Sequence, residues 1–178
     1  MTAQDYGHLA IALLGVSLVA AVPGWSVLGR VIWPPFSLLV LVSALAVAGG
    51  SPAIELGAGA TTAVAVGLAG VLAVVGGGPP TTLLFRLVDR ERFSMPDSIE
   101  GAAEVLRGGL WIGLLERAAV FASLVAGFPE GVAIALAVKG LGRYPELRAP
   151  GAAERFIIGT FASVLWAAAC AGVVILAR

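Results

Sequence analysis

Six charged residues in the C-terminal part of the chain lie within or beside long apolar runs. They are Glu116, Arg117, Lys139, Arg143, Glu154 and Arg155. Charges in a membrane are costly, and they mark ion pairs, ligand sites or ion pathways. We therefore take these six as a candidate ligand-binding or ion-pair cluster.

The depth of two of these charges follows from the lengths of the apolar runs. The uncharged run 118–128 covers only about 16 Å as a helix, and about 30 Å of hydrocarbon must be crossed. The helix must then begin near Gly108 or Leu110, which places Glu116 roughly 9–12 Å from one face. Lys139 lies about 16 Å from the other face on an antiparallel neighbour. At similar depths the two cost little as a pair and several kcal/mol each if alone.

Four functions fit this cluster. In the first, an accessory membrane protein binds a phosphate-bearing lipid or the acidic loop of a partner in a cationic pocket. The cations of that pocket, which Glu116 and Glu154 would hold in place, are Arg117, Lys139, Arg143 and Arg155. In the second, a small transporter or channel uses Glu116 as its ion or proton site. The others are a membrane enzyme with Glu116 as general base, and an ion-pair lock between helices.

The sequence argues against catalysis. No nucleophile stands beside a base, and no metalloprotease, nucleotide-binding or hydrolase motif occurs in a suitable context. We therefore expect no enzymatic activity, no cofactor and no metal site. The single cysteine, Cys170, lies in an apolar run, so no intrachain disulfide can form.

Small residues recur at the spacing of a helix face in two segments. Gly159 and Ser163 belong to a series that begins at Arg155 and continues every fourth residue. Gly59 and Gly67 form a second series. Small residues allow membrane helices to pack closely, so we expect helix contacts at both series. More such faces exist than one bundle needs, and self-association is a further expectation.

The composition is that of an integral membrane protein. Of 178 residues 59% are hydrophobic and 12% charged, whereas a soluble domain carries about 25% charged residues. Mean hydropathy is +0.99. The formal net charge is zero, so no basic field indicates a nucleic acid partner. The chain is therefore expected to be an all-α, polytopic transmembrane helix bundle, with membrane lipids or another membrane protein as partners.

The apolar runs predict about six spans, of which the fifth either crosses or is re-entrant. The spans cover 7–24, 33–50, 56–78, 108–127, 129–144 and 154–177. We divide the chain into an N-terminal three-helix anchor (1–80), an amphipathic interfacial connector (81–107) and a C-terminal three-helix module (108–178). Within the connector, Asp97 to Glu100 resembles a capping box, which predicts a short helix that Gly108-Gly109 stops.

The distribution of arginine predicts the topology. Most arginines outside the apolar runs fall on one side of the six spans, and basic loops stay in the cytoplasm. The loops 81–107 and 145–153 are therefore expected to be cytoplasmic, in a multi-pass protein of the plasma membrane. A re-entrant fifth segment would place the C-terminus in the cytoplasm as well.

Three fragments of the C-terminal 40% resemble a family of small bacterial integral membrane proteins. They are GLWIGLLER (109–117), AVKGLGRYPELR (137–148) and AERFIIGTFAS (153–163). The family pattern is IG-x-LER, then K-x-x-x-R-[FY]-x-E, then E-x-F-x-I-G-T-x-x-S. The resemblance implies a bacterial inner membrane protein and supplies no chemistry. The chain departs from the pattern at Leu110, where a basic residue is common, and at Arg155, where an aromatic residue is usual.

Overall fold

Apolar runs bounded by glycine and proline set the helices of the chain. The computed structural model describes residues 3–50, 59–89, 99–144 and 152–177. Within these ranges the secondary structure is helical, and the expected all-α class is confirmed. The α-helices are α1 (Ala3–Ala21), α2 (Trp33–Gly50), α3 (Ala60–Gly76), α4 (Gly78–Asp89), α5 (Ile99–Val125), α6 (Glu130–Gly142) and α7 (Ala152–Leu176), with a short 3-10 helix at Pro23–Trp25.

Four segments of the described residues are long and apolar enough to cross a membrane. They are Gln4–Trp25, Trp33–Gly50, Ala60–Val88 and Ala153–Leu176. The fifth predicted span is α6, whose 13 residues cover about 20 Å. That is less than the roughly 30 Å of a hydrocarbon core. The prediction of six spans is thus supported for four of them, and α6 is too short to cross alone.

One helix boundary differs from the expectation. The predicted stop at Gly108-Gly109 is wrong, because α5 continues through both glycines for 27 residues. Glycine is tolerated in membrane helices because neighbouring helices support them. The expected cap residues Asp97 and Ser98 fall outside the described residues, as do parts of the predicted loops 81–107 and 145–153.

The hairpin between α5 and α6 depends on one glycine. Gly127 has a φ of +71°, in the left-handed region that favours glycine. Its N–H donates to the carbonyl of Leu124 at 3.1 Å, and the N–H of Phe128 donates to Ser123 at 2.8 Å. This pair of bonds is the Schellman termination of a helix, and it turns the chain so that α6 runs back along α5.

The helix α7 lies at the centre of the bundle and contacts α2, α3, α4 and α5. Its series of small residues faces this core: Ser163, Ala167 and Ala171 are buried. At Gly159 the ring of Phe85 from α4 lies against the backbone, 2.6 Å from where a Cβ would stand. The small side chains of α7 therefore set how closely the other helices approach.

The packed face of α3 is not the one that the sequence suggested. Gly59 precedes the helix with a φ of +88°, and a Cβ at Gly59 or at Gly67 would meet nothing within 4 Å. The buried residues of α3 are instead Ala65, Ala69, Leu72, Ala73 and Gly76. Gly59 and Gly67 thus make no close contact with another described helix of the same chain, and the expected helix contact at this series stays a prediction.

The helices α1 and α2 are joined by a reciprocal serine pair. Ser17 Oγ donates to the carbonyl of Ser37 at 2.9 Å, and Ser37 Oγ donates to the carbonyl of Ser17 at 2.9 Å. Both residues are fully buried. Hydroxyl bonds of this kind hold helices together where apolar packing alone gives little specificity.

Candidate functional site

An ion pair between α5 and α6 forms the centre of the charged cluster. Lys139 Nζ donates to Glu116 Oε2, and the two side chains are 16% and 4% exposed. Two turns away along both helices, Gly131 of α6 lies against the Oγ of Ser123 in α5. These two contacts fix the antiparallel register of the hairpin. The structure thus joins the two charges that the sequence placed at matching depth.

The ion pair leaves one carboxylate oxygen without a donor. Glu116 Oε1 is buried and has no hydrogen-bond partner among the described residues. On the other side, the Lys139 ammonium lies over the ring of Phe156 in α7, 5.4 Å from its centre. A cation at this distance from an aromatic face is stabilised. Lys139 is therefore held from two helices, whereas Glu116 keeps an unsatisfied acceptor in a buried place.

Arg117 performs a different task from its neighbour Glu116. Its Nε donates to the carbonyl of Val74 at 2.9 Å, and its Nη1 lies 3.4 Å from the Oγ of Ser163. Val74 lies in the last turn of α3, where backbone carbonyls give the helix end a partial negative charge. Arg117 is therefore a buried cap that binds α3 to α5 and α7.

A second side chain reinforces this cap. Trp166 Nε1 of α7 donates to the carbonyl of Leu72 at 3.0 Å. Arg117 and Trp166 thus supply side-chain donors from two neighbouring helices to backbone carbonyls in the last two turns of α3.

The glycines at the end of α3 make room for these donors. A Cβ on Gly77 would stand 2.6 Å from Arg117 Cδ and 2.8 Å from Trp166 Cδ1. A Cβ on Gly78 would stand 2.6 Å from the ring of Trp25. The side chains of Arg117, Trp166 and Trp25 therefore pack directly against the backbone of the three consecutive glycines 76–78.

The other three charges of the cluster lie at helix ends. Arg143 is the residue that follows α6 and is partly buried, whereas Glu154 and Arg155 are exposed in the first turn of α7. Each of the three takes part in a polar or electrostatic contact. The six predicted residues therefore form a buried pair, a separate helix cap and an outer group.

Comparisons of the chain with known protein families, with curated proteins and with solved structures find no match. The resemblance to a bacterial membrane family therefore stays a prediction. Among the described residues, no group of three or more His, Cys, Asp or Glu side chains is placed to hold a metal ion. The site is thus characterised by its own geometry: it lies in a helical bundle with four candidate membrane spans.

Proposed function

We propose that this protein is an accessory membrane protein, without catalysis of its own, that binds a phosphate-bearing lipid at Lys139. The observation that carries the proposal is the position of Lys139 on a weakly covered helix. No residue of α6 is fully buried, so the lysine can be approached from outside the bundle. Its ammonium has three donors, and Glu116 takes one of them.

The neighbouring cations support the same proposal. Arg143 follows Lys139 by one helical turn, and Arg155 directly precedes the aromatic residue Phe156 that lies under the ammonium. Basic side chains at the ends of membrane helices bind the phosphate of anionic lipids. Glu116 acts in this proposal as a positioning residue, because it fixes the lysine without contacting the lipid.

Native mass spectrometry of the protein released from nanodiscs tests the proposal. We expect wild type to retain an anionic lipid that Lys139→Met loses and that Lys139→Arg, which keeps the charge, retains. A protein that carries no lipid, or a lipid that Lys139→Met leaves in place, would overturn it. Retention of a polypeptide instead of a lipid would assign the cluster to a protein partner.

A second candidate function rests on the unsatisfied oxygen of Glu116. A buried carboxylate oxygen without a donor is costly and can accept a proton or a cation, which is the property a transporter uses. Proteoliposomes that enclose a pH-sensitive dye test this function. A proton flux that Glu116→Gln abolishes would support it, and a flux equal to that of empty liposomes would exclude a proton carrier.

A further inference from the structure

A second pair of cations lies outside the cluster described above. Arg30 and Arg86 line one cavity of about 160 Å³ between the 3-10 helix, the residues that follow it, and α4. A single bound water needs only about 15 Å³ of such space, so the cavity has room for a larger group. None of the described residues that line it is acidic.

Among the described residues, neither arginine is engaged elsewhere. In the part of the chain that the structure describes, no hydrogen bond or ion pair involves the guanidinium of Arg30 or Arg86. Each guanidinium carries five N–H donors in a planar fork that matches phosphate oxygens. Two such groups at one cavity without a carboxylate form a site for an anion.

The hydroxyl groups in the cavity wall do not compete for this role. Ser26 Oγ donates to the carbonyl of Pro23 at 2.7 Å, and Thr82 Oγ1 donates to the carbonyl of Gly78 at 3.0 Å. Both protons are thus used within the fold. Apart from the indole N–H of Trp25, the side-chain donors that the described lining leaves for a ligand are those of the two arginines, which favours a doubly coordinated oxyanion.

The surroundings of the cavity place it at the level of lipid headgroups. Trp25 lines it, and the adjacent loop exposes apolar side chains, of which Leu28 is 93% exposed and Ile32 is 71% exposed. Tryptophan and cations beside exposed apolar residues are typical of the membrane interface. A phosphate that reaches this cavity is therefore available from a lipid as well as from solution.

We infer that Arg30 and Arg86 bind a phosphate group, presented by the headgroup of an anionic lipid. The site is separate from Lys139 and involves different helices, so it does not depend on the function proposed above. It would anchor the loop between α1 and α2, together with α4, to the membrane surface.

Counting bound lipids separates the two sites. The full chain in detergent is mixed with phosphatidylglycerol or, as a control, phosphatidylcholine, and native mass spectrometry reports occupancy. We expect Arg30→Gln and Arg86→Gln each to lower phosphatidylglycerol affinity about fivefold. Lys139→Met removes an equal charge at a residue that does not line the cavity, so it should leave this lipid bound.

A second variant tests the cavity rather than its charge. Thr82→Phe fills the space and keeps both arginines, so we expect it to lower occupancy as the arginine variants do, with the unfolding temperature unchanged. Equal binding of the two lipids, or binding that neither arginine variant weakens, would overturn the inference. Displacement of the lipid by an equal concentration of inorganic phosphate would support the site and assign it to free phosphate.

Discussion

Arg117 Nε donates a hydrogen bond of 2.9 Å to the carbonyl of Val74 and thereby joins the middle of α5 to the last turn of α3. The guanidinium also approaches Ser163 of α7, so one side chain contacts three helices. A cation at the C-terminal end of a helix opposes the partial negative charge there. A charge that would be costly alone is in this way used to hold the bundle together.

Removal of this cap should destabilise the fold. We expect Arg117→Met to lower the free energy of unfolding by about 1–3 kcal/mol, because the carbonyl of Val74 loses its buried donor. Arg117→Lys keeps the charge but has a single donor group, and it should recover only part of the loss. Unfolding in detergent, followed by tryptophan fluorescence, measures both. A methionine variant as stable as wild type would contradict the assignment.

The glycine beside this cap should not tolerate a methyl group. Gly77→Ala places a Cβ 2.6 Å from Arg117 Cδ, and overpacking of this kind costs about 1–3 kcal/mol. Gly67→Ala is the matched control, because a Cβ there meets nothing within 4 Å. The same unfolding assay should show a loss for the first variant and none for the second. If the two variants were equally stable, the Arg117 side chain would move aside at little cost, and the prediction would be wrong.

Glu116 and Lys139 should be strongly coupled. Lys139→Met leaves a buried carboxylate without its cation, which should lower the free energy of unfolding by about 3–5 kcal/mol. The double variant with Glu116→Gln and Lys139→Met removes both charges and should recover much of the lost stability. A double-mutant cycle on the free energy of unfolding gives the coupling, which we expect to reach about 2–3 kcal/mol. Additive single effects would mean that the pair does not stabilise the hairpin.

The contact between α4 and α7 should respond to paired changes. Gly159→Ala drives a methyl group into the Phe85 ring, which lies 2.6 Å from that position. We expect the free energy of unfolding to fall by about 1–3 kcal/mol. Phe85→Leu introduces a smaller side chain and should partly reverse this loss. Gly140→Ala, where a Cβ has open space, is the control. The combined variant must be more stable than Gly159→Ala alone for this contact to be the cause.

The sequence predicted the helices and the central ion pair because length arithmetic suffices for both. A run of apolar residues must cross a fixed thickness, and the position of a charge within that run gives its depth. Glu116 and Lys139 could therefore be placed side by side from counting alone. The continuation of α5 through Gly108-Gly109 could not be predicted in this way. A glycine pair ends a helix in water, but it is tolerated where neighbouring helices support the helix.

The packing faces were harder to predict, because α3 carries small residues on more than one side. Gly59, Ala63 and Gly67 repeat every fourth residue, and so do Ala65, Ala69 and Ala73. Spacing alone does not choose between the two series, and only the second is buried. The role of Arg117 was missed for a related reason: its acceptor is a backbone carbonyl, which has no signature of its own in the sequence.

The shortness of α6 has a consequence for the surrounding lipid. Its 13 residues are flanked by helices of 27 and 25 residues, so the hydrophobic belt of the protein has unequal height. If a helix of about 20 Å crossed an ordinary bilayer, the mismatch would be roughly 10 Å, and the lipid would relieve it by thinning on that side. A span of this length would distort the leaflet beside Lys139, and membranes with a thin hydrocarbon layer would accommodate it at the lowest cost.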